Sequence, residues 1–340
     1  MNKKEKIFAS VVTFNRKKLL EECLNALFAQ SRKLSKIIIV NNNSTDGTKE
    51  FLNKLIKKNK NFIVINLKKN IGNAGGQYVG IKRAYKEGAD WVWAMDDDAI
   101  PKKEALKELM IHSKKPNISV LGGKVLEEGG EISLKHRGLF EFNNFLKNTH
   151  SSILKREYSK KTVTIDFVSF VGMLINRNAI SKAGFPKKDF FIQADDAEYC
   201  IRLGKVGKIV LVPSSIIIHK EVMQKKFIQK KKFNKTFFRL PYDKFWISYY
   251  GIRNNVWIGK KYSRKKTQFY ATFLSRLFKS IFMVLVLDDF KIKRIFFLLN
   301  AYFDGLKGKF DNDKPKKLLE FKKEKAKNSL KIEKEALKLR

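Results

Sequence analysis

Hydrophobic residues in this chain follow two alternating rhythms. Residues 7–14, 37–40, 62–66 and 91–95 are short, nearly unbroken apolar runs, the pattern of strands buried on both faces. Between them apolar residues recur every three or four positions: Leu19, Leu20, Cys23, Leu24, Leu27 and Phe28, then Phe51, Leu52, Leu55 and Ile56, then Val79, Ala84 and Tyr85. That is the period of helices with one face turned inward. Alternation at this interval predicts an α/β domain with a mostly parallel central sheet, whose outgoing loops gather along one edge. Pro101 stands where a first helical residue would, ahead of Leu106, Leu109 and Met110.

The middle of the chain is less regular. Residues 120–125 read as a strand, 163–175 as an apolar run, and Asn178 as the cap of a short helix ending near Gly184. Residues 195–203 read as a helix, followed by two short strands at 209–212 and 216–218, the second delivering His219. Composition then changes. Residues 225–266 carry fourteen Lys or Arg against one acid, Asp243, interleaved with Phe237, Phe238, Trp246, Tyr249, Tyr250 and Trp257. Residues 268–304 alternate apolar and basic positions, as amphipathic helices do, and from Lys314 the tail reads as a solvated, Lys-rich helix. The expected division is an α/β domain over 1–222, a basic helical, membrane-proximal region over 223–312, and a polar tail over 313–340.

Charge sharpens this reading. The 340 residues hold 72 Lys and Arg against 33 Asp and Glu, a formal charge of +39, so a polyanionic partner is expected: nucleic acid, an anionic membrane or a phosphorylated substrate. Lys dominates and Arg, the better reader of bases, is not correspondingly enriched. Cys23 and Cys200 fall in apolar helical patterns and read as core residues, in keeping with a reducing compartment. No signal peptide is read at the start, and no uninterrupted apolar run reaches the roughly 18 residues of a membrane span. The expected location is the cytoplasm.

Against this basic background Asp96, Asp97 and Asp98 stand out at the end of a strand. Three adjacent carboxylates repel one another, and a fold that gathers them beyond a strand end usually has a cation to put there. The outer pair of such a D-x-D arrangement can share one divalent ion, and His219 can add a nitrogen. Mixed ligation of this kind favours Mn²⁺ somewhat over Mg²⁺. Asp195 and Asp196 open a helix whose dipole favours the ionised form a general base needs. The loop over 70–76, with Asn70, Gly72, Gly75 and Gly76, is of the kind that lets backbone N–H groups approach a phosphate.

Taken together, Val11-Val12-Thr13-Phe14-Asn15-Arg16, the segment from Ile39 to Thr48, the glycines at 72, 75 and 76, Asp96-Asp97-Asp98 with Pro101, Phe170-Val171-Gly172, Asp195-Asp196-Ala197-Glu198-Tyr199 and His219 resemble glycosyltransferase family 2. These are inverting nucleotide-sugar enzymes of the GT-A fold, and the residues are most like the bacterial galactofuranosyl- and rhamnosyltransferase-like members. The resemblance covers roughly residues 7–220. It implies that Thr13 with its neighbours Asn15 and Arg16, Asn41 and the 70–76 loop hold the nucleotide, with Asp96 and Asp97 facing the donor. Asp96, Asp98 and His219 would hold Mn²⁺ or Mg²⁺, Asp196 would be the base, Asp195 its partner, and Glu198 would orient the acceptor. Many family members carry Asp where this chain has Asn41, which leaves the choice of nucleotide base open.

The implied partners are a UDP- or dTDP-sugar donor, a glycan or polyprenyl-diphosphate-linked glycan acceptor used in cell-surface polysaccharide assembly, and an anionic membrane surface reached by a peripheral basic face. Nucleic acid is not among them, since a cluster of carboxylates would repel its phosphates. A nucleotidyltransferase would carry a glycine-rich basic loop after the first strand, and the loop here, Thr13-Phe14-Asn15-Arg16-Lys17, has no glycine.

Overall fold

The computed structural model describes residues 5–147, 150–220, 227–232 and 234–320. It divides into two compact units, Met1–Gln224 and Lys225–Arg340. The first runs β1 (Ile7–Thr13), α1 (Lys17–Phe28), β2 (Lys36–Asn41), α2 (Thr48–Lys58), β3 (Phe62–Asn66), α3 (Gly72–Lys86), β4 (Trp91–Asp96), β5 (Ala99–Pro101), α4 (Ala105–Met110) and β6 (Ile118–Glu127). It continues through β7 (Arg137–Leu139), β8 (Ser151–Ser152), β9 (Val163–Ile165), β10 (Phe167–Val168), β11 (Val171–Asn176), α5 (Arg177–Ala183), α6 (Asp195–Gly204) and β12 (Lys208–His219).

One mixed sheet organises the unit, in the order β3-β2-β1-β4-β11-β6-β12-β5, with β9 also paired to β12. Pairing is parallel from β3 to β4 and again between β6 and β12, while β11 lies antiparallel between β4 and β6. All seven residues of β1 are buried, and Trp91 and Trp93 on β4 are nearly inaccessible. Truncating either Trp to Ala would cost about 3–5 kcal/mol. The chain leaves β1 towards β2 on one side and reaches β4 on the other, so a crevice opens beyond the carboxyl ends of these strands, where ligands collect in open α/β sheets.

Helix α3 lies unusually close to β1 because its inner face is made of small residues. A Cβ on Gly76 would fall 2.5 Å from Val12 Cγ1. This approach carries the N-terminus of α3 to the end of β1.

Three local expectations change. Pro101 closes the edge strand β5 opposite Ile217 instead of opening a helix, a place where its missing N–H breaks no ladder. The cap of α5 is Asn176, two residues earlier than expected, and its side chain accepts from Asn178 N. The two short strands before His219 are one, β12, with a register shift between Val212 and Ile216.

The second unit contains the hairpin β13 (Ile228–Lys232) and β14 (Lys235–Arg239), then α7 (Trp246–Tyr262), α8 (Lys266–Leu287), α9 (Lys291–Lys307) and α10 (Lys314–Glu320). Its core joins Phe245, Tyr249, Val284, Phe297, Leu298 and Ala301. Lys314 pairs with the buried Asp304 at 2.6 Å and Leu318 and Leu319 pack on this core, so the tail begins as a docked helix and not a solvated one. The remainder of the expected tail, 321–340, lies outside the described residues. The apolar sequence of helix α8 is interrupted by Arg276 and Lys279, so no uninterrupted apolar run reaches a membrane span, yet an 18-residue window of it has mean hydropathy of 1.6 and is long and apolar enough to cross a bilayer by length and composition.

Candidate active site

The three carboxylates sit where β4 runs out beside β1. Thr13 Oγ1 donates to Asp97 Oδ2 at 2.7 Å, and Arg16 Nη1 lies 3.2 Å from Asp97 Oδ1 and 2.6 Å from Asp98 Oδ2. Asp97 is thereby an internal anchor between β1 and β4, with both oxygens engaged. Thr13 and Arg16, expected to meet the nucleotide, spend their polar atoms on this acidic turn. Opposite charge requires it: two nearly inaccessible carboxylates need a cation within reach.

His219 arrives from β12. Its pairing with Ala99 on β5 and the Lys220 N to Asp98 O hydrogen bond of 2.9 Å bring Nε2 to 3.3 Å from Asp98 Oδ1, an oxygen that makes no hydrogen bond. Asp96 Oδ1 accepts from Gln77 Nε2 at 3.2 Å. Burial and the charges of Asp98 and Asp97 raise the Asp96 carboxyl to about 7, and burial raises Asp97 to about 6 against the pull of Arg16. Burial also acts on Asp98, but His219 and Arg16 outweigh it and hold that carboxyl below its ordinary value. Of the three carboxylates, only the one facing the imidazole is held below its ordinary value.

Among the described residues no three His, Cys, Asp or Glu side chains form a ready cage for a metal. The pair Asp98 and His219, with Asp96 beside it in electrostatic contact, nonetheless fits an ion of the Mg²⁺ or Mn²⁺ kind. Such ions are commonly held by one or two protein groups and completed by water and substrate phosphates.

The loops around this turn are laced together. Asn15, at a positive φ of 54°, accepts from Thr45 N at 2.7 Å, and its own N–H donates to Ser44 Oγ at 3.0 Å. Asn41 donates to Asn66 Oδ1 at 2.8 Å and accepts from Ser44 N at 3.0 Å. Its amide is thus occupied within the turn. Asn70 accepts from Gly72 N at 2.8 Å, a turn that starts α3. From Gly72 the expected phosphate cradle is helix: Gly75 and Gly76 lie inside α3, packed on Ile71 and Val12. Gly72 has φ +76°, and a Cβ there would fall 2.1 Å from Phe191 O. The same Phe191 carbonyl accepts from Ala74 N at 3.0 Å. Gly72 and the start of α3 therefore clasp the segment that precedes Asp195.

That segment is strained. Phe191, Gln193 and Ala194 all have positive φ, 65°, 69° and 62°, a costly arrangement for residues with side chains. It sets Asp195 and Asp196 at the first turn of α6, with Ala194 as the cap and no side-chain capping bond. Burial overrides the helix dipole here. Asp195 is nearly inaccessible, its Oδ2 makes no hydrogen bond, and burial with the charges of Asp196 and Asp96 pushes its carboxyl well above the ordinary range. Asp196, less buried and accepting from Ala197 N at 2.8 Å, is raised by burial only to about 6. Burial thus favours the protonated form of the first carboxyl more strongly than that of the second, which is the better placed of the two to be ionised near neutral pH. The influence of Asp96 on Asp195 ties the α6 start to the β4 turn.

Glu198 departs from its expected role. Its carboxylate is gripped by Arg202 Nε at 2.9 and 3.1 Å and Nη2 at 2.8 Å, and Arg202 also donates to Phe185 O at 2.9 Å. The pair clamps α6 to the α5 turn.

Several participants escaped the sequence reading. Gln77 faces Asp96, and Asn42 ties β2 to the α3 start through Gly72 O at 3.0 Å and Ile71 N at 2.9 Å. His136 packs edge-on against His219, with ring centroids 4.7 Å apart, and shares its Nδ1 with Ser169 Oγ at 2.9 Å. Burial, then the neighbouring His219 and Arg137, keeps it neutral. Arg137, fully buried, donates to the Gly123, His136 and Val171 carbonyls and fixes that turn. The segment Lys135-His136-Arg137-Gly138 is visible in the sequence, but nothing there says that it meets β12. A cavity of about 270 Å³ beside Asp166 and Lys208 is lined by none of these side chains.

A sheet whose first strand is flanked by β2 and β4, with acids at the β4 end and a second acidic pair on a later helix, is the arrangement expected of a GT-A glycosyltransferase domain. The comparisons agree. A sequence model of Glycosyl transferase family 2 matches residues 9–184, and the chain belongs to that family. It is 27% identical over 207 residues to the galactofuranosyltransferase GlfT1 of Mycobacterium tuberculosis (strain ATCC 25618 / H37Rv), covering 60% of this chain and 66% of that one. It is 24% identical over 219 residues to the dTDP-rhamnosyl transferase RfbF of Shigella flexneri, covering 63% and 68%. The match thus spans about two thirds of these relatives. Among solved structures, GalNAc-T7 with UDP, GalNAc and Mn²⁺ shares the fold at a TM-score of 0.60 and 14% identity, over 92% of this chain and 58% of that one. TarS of S. aureus, residues 1–349 with UDP, does so at 0.53 and 18%, over 88% and 81%.

Proposed function

We propose that the chain is an inverting glycosyltransferase that moves a sugar from a UDP- or dTDP-sugar to a hydroxyl of a glycan, free or linked to a polyprenyl diphosphate, in cell-surface polysaccharide assembly on the cytoplasmic side of the membrane. The observation that carries this is that the first turns of α3 hold both groups, Gln77 donating to Asp96 at 3.2 Å and Ala74 N to the Phe191 carbonyl, in the segment that leads into Asp195 and Asp196, at 3.0 Å. It supports one cleft with an anion-binding end and a proton-accepting end.

Asp196 accepts the proton of the acceptor hydroxyl as its oxygen bonds to the anomeric carbon, while the bond from that carbon to the diphosphate oxygen breaks and both electrons leave with the nucleoside diphosphate. One displacement from the face opposite the leaving group inverts the centre and needs no enzyme nucleophile. Asp195, whose burial favours its protonated form, limits the negative charge beside the reacting hydroxyl. Asp98 and His219, with Asp96 beside them, would hold Mn²⁺ or Mg²⁺, which supplies counter-charge for the departing diphosphate. Arg16 orients the turn that presents them. Asn15, Asn41 and the α3 start shape the nucleotide end of the cleft.

A panel of UDP- and dTDP-sugars, scored for nucleoside diphosphate release with Mn²⁺ and with EDTA, tests the reading. One donor should be turned over, chelation should abolish release, and Asp98→Ala should weaken donor binding as well as turnover. Full activity in chelator would remove the metal from the account. Inertness towards every donor would overturn the transferase reading itself.

A further inference from the structure

Helix α8 has two apolar faces, and only one is used inside the second unit. Phe269, Phe273, Leu277, Val284 and Leu287 are buried there, with Phe273 edge-on to Tyr302 of α9 at 5.5 Å and Ser280 3.1 Å from the Tyr302 hydroxyl. On the adjacent face Tyr270, Leu274, Phe278 and Phe282 recur every fourth residue and stand exposed, Phe278 at 66%. Helix α9, packed on α8, likewise exposes Ile292, at 85%, and Phe296 and Phe303. A soluble surface rarely leaves so many large apolar side chains contiguous without a partner.

Charge selects the partner. Helix α8 contains no acid, and the three acids between residues 266 and 307 are all engaged internally: Asp288 by Arg239, Asp289 by Arg294 and Asp304 by Lys314. Exposed Lys279 and Lys291 stand among the apolar residues. A second copy of a chain with a formal charge of +39 would be repelled from such a face, whereas an anionic surface is drawn to it. Helix α8, about 33 Å long, is suited to a plane more than to a pocket. Crossing the bilayer would strip its buried face from the unit's core and place Arg276 and Lys279 in hydrocarbon.

We infer that the exposed faces of α8 and α9 form a monotopic docking surface for an anionic lipid bilayer, α8 lying in the plane of the interface with Phe278 and Phe282 inserted and the lysines on phosphate head groups. Tyr249 and Tyr250, named with this face from sequence, are buried in the unit's interior and take no part. The proposal does not depend on the transferase reading, since lipid binding is measured without donor or acceptor.

Flotation of the full chain decides it, using phosphatidylcholine vesicles with and without phosphatidylglycerol, at low and high salt. The chain should float with the anionic vesicles, less at high salt, and be released by alkaline carbonate. Phe278→Ser combined with Phe282→Ser, checked for an unchanged thermal melt, should weaken partitioning by at least about tenfold. Lys279→Glu combined with Lys291→Glu should weaken it by at least about fivefold on anionic vesicles only. Unchanged flotation of both variants would overturn the inference, as would binding indifferent to lipid charge. Retention after carbonate would mean that α8 spans. A lipid-free dimer abolished by the Phe pair would mean that a second copy covers the face.

Discussion

The assignment of Asp196 as the base makes a quantitative claim about pH. Burial raises its carboxyl to about 6 from the ordinary 3.8, and the neighbouring Asp195 is pushed further still by burial and by its charged neighbours. A base must be ionised to work. With a pKa of about 6, Asp196 is about 90% ionised at pH 7 and about 10% at pH 5, so nucleoside diphosphate release should fall about tenfold between them. A carboxyl at the ordinary value would stay about 90% ionised or more across the same interval and leave the rate nearly flat. The assay is single-turnover release from the donor found in the screen, in buffers of constant ionic strength. Asp196→Asn keeps the shape and removes the basicity, so the rate should drop by about two to four orders of magnitude while donor affinity survives. Asp195→Asn imitates the protonated form that burial favours in that side chain and leaves Asp196 in place, so it should retain most of the rate and the same acidic limb. A flat profile between pH 5 and 7, or an active Asp196→Asn beside a dead Asp195→Asn, would refute the reasoning.

Gly72→Ala should lower stability by about 2 kcal/mol or more, from the positive φ alone, and the Cβ would press on the Phe191 carbonyl besides. Thermal melting should show a fall of about 4–8 °C in a domain of this size, and turnover should suffer more than donor affinity because the displaced segment leads into Asp195. Glu198→Gln should cost about 1–3 kcal/mol by loosening the Arg202 clamp, read by urea unfolding, with donor affinity measured by calorimetry unchanged. A donor-binding defect in a stable Glu198→Gln protein would show that this carboxylate serves the ligand after all.

The alternation of strand and helix, the position of the acids at the β4 end and the helical start at Asp195 were all legible in the chain, because each rests on period, on a local break in hydrophobicity or on a run of charge. Residues 7–13 could hardly be anything but a buried strand, and the acids after Met95 had nowhere apolar to go. His219 was expected beside those acids as a metal ligand, but their other partners were not legible. Arg16, expected at the nucleotide, and His136 lie far from Asp98 in sequence, and only the pairing of β12 with β5, and of β1 with β4, brings His219 and Arg16 to it. Glycine shows the same division. Its frequency over 72–76 announces close approach of something to the backbone, and the sequence suggested a phosphate, whereas folding put Ile71, Val12 and the Phe191 carbonyl there. Glu198 lies on an α-helical turn with Arg202 and could have been paired from spacing alone, yet the motif around it pointed elsewhere. Ionisation was the least accessible. The same two aspartates at a helix start would be acidic in water, and it is their burial in the folded domain that raises both, Asp195 further and Asp196 to about 6. Local sequence sets which side chains exist and which backbone they ride on, while desolvation and long-range contact, which depend on every other element, set their charge.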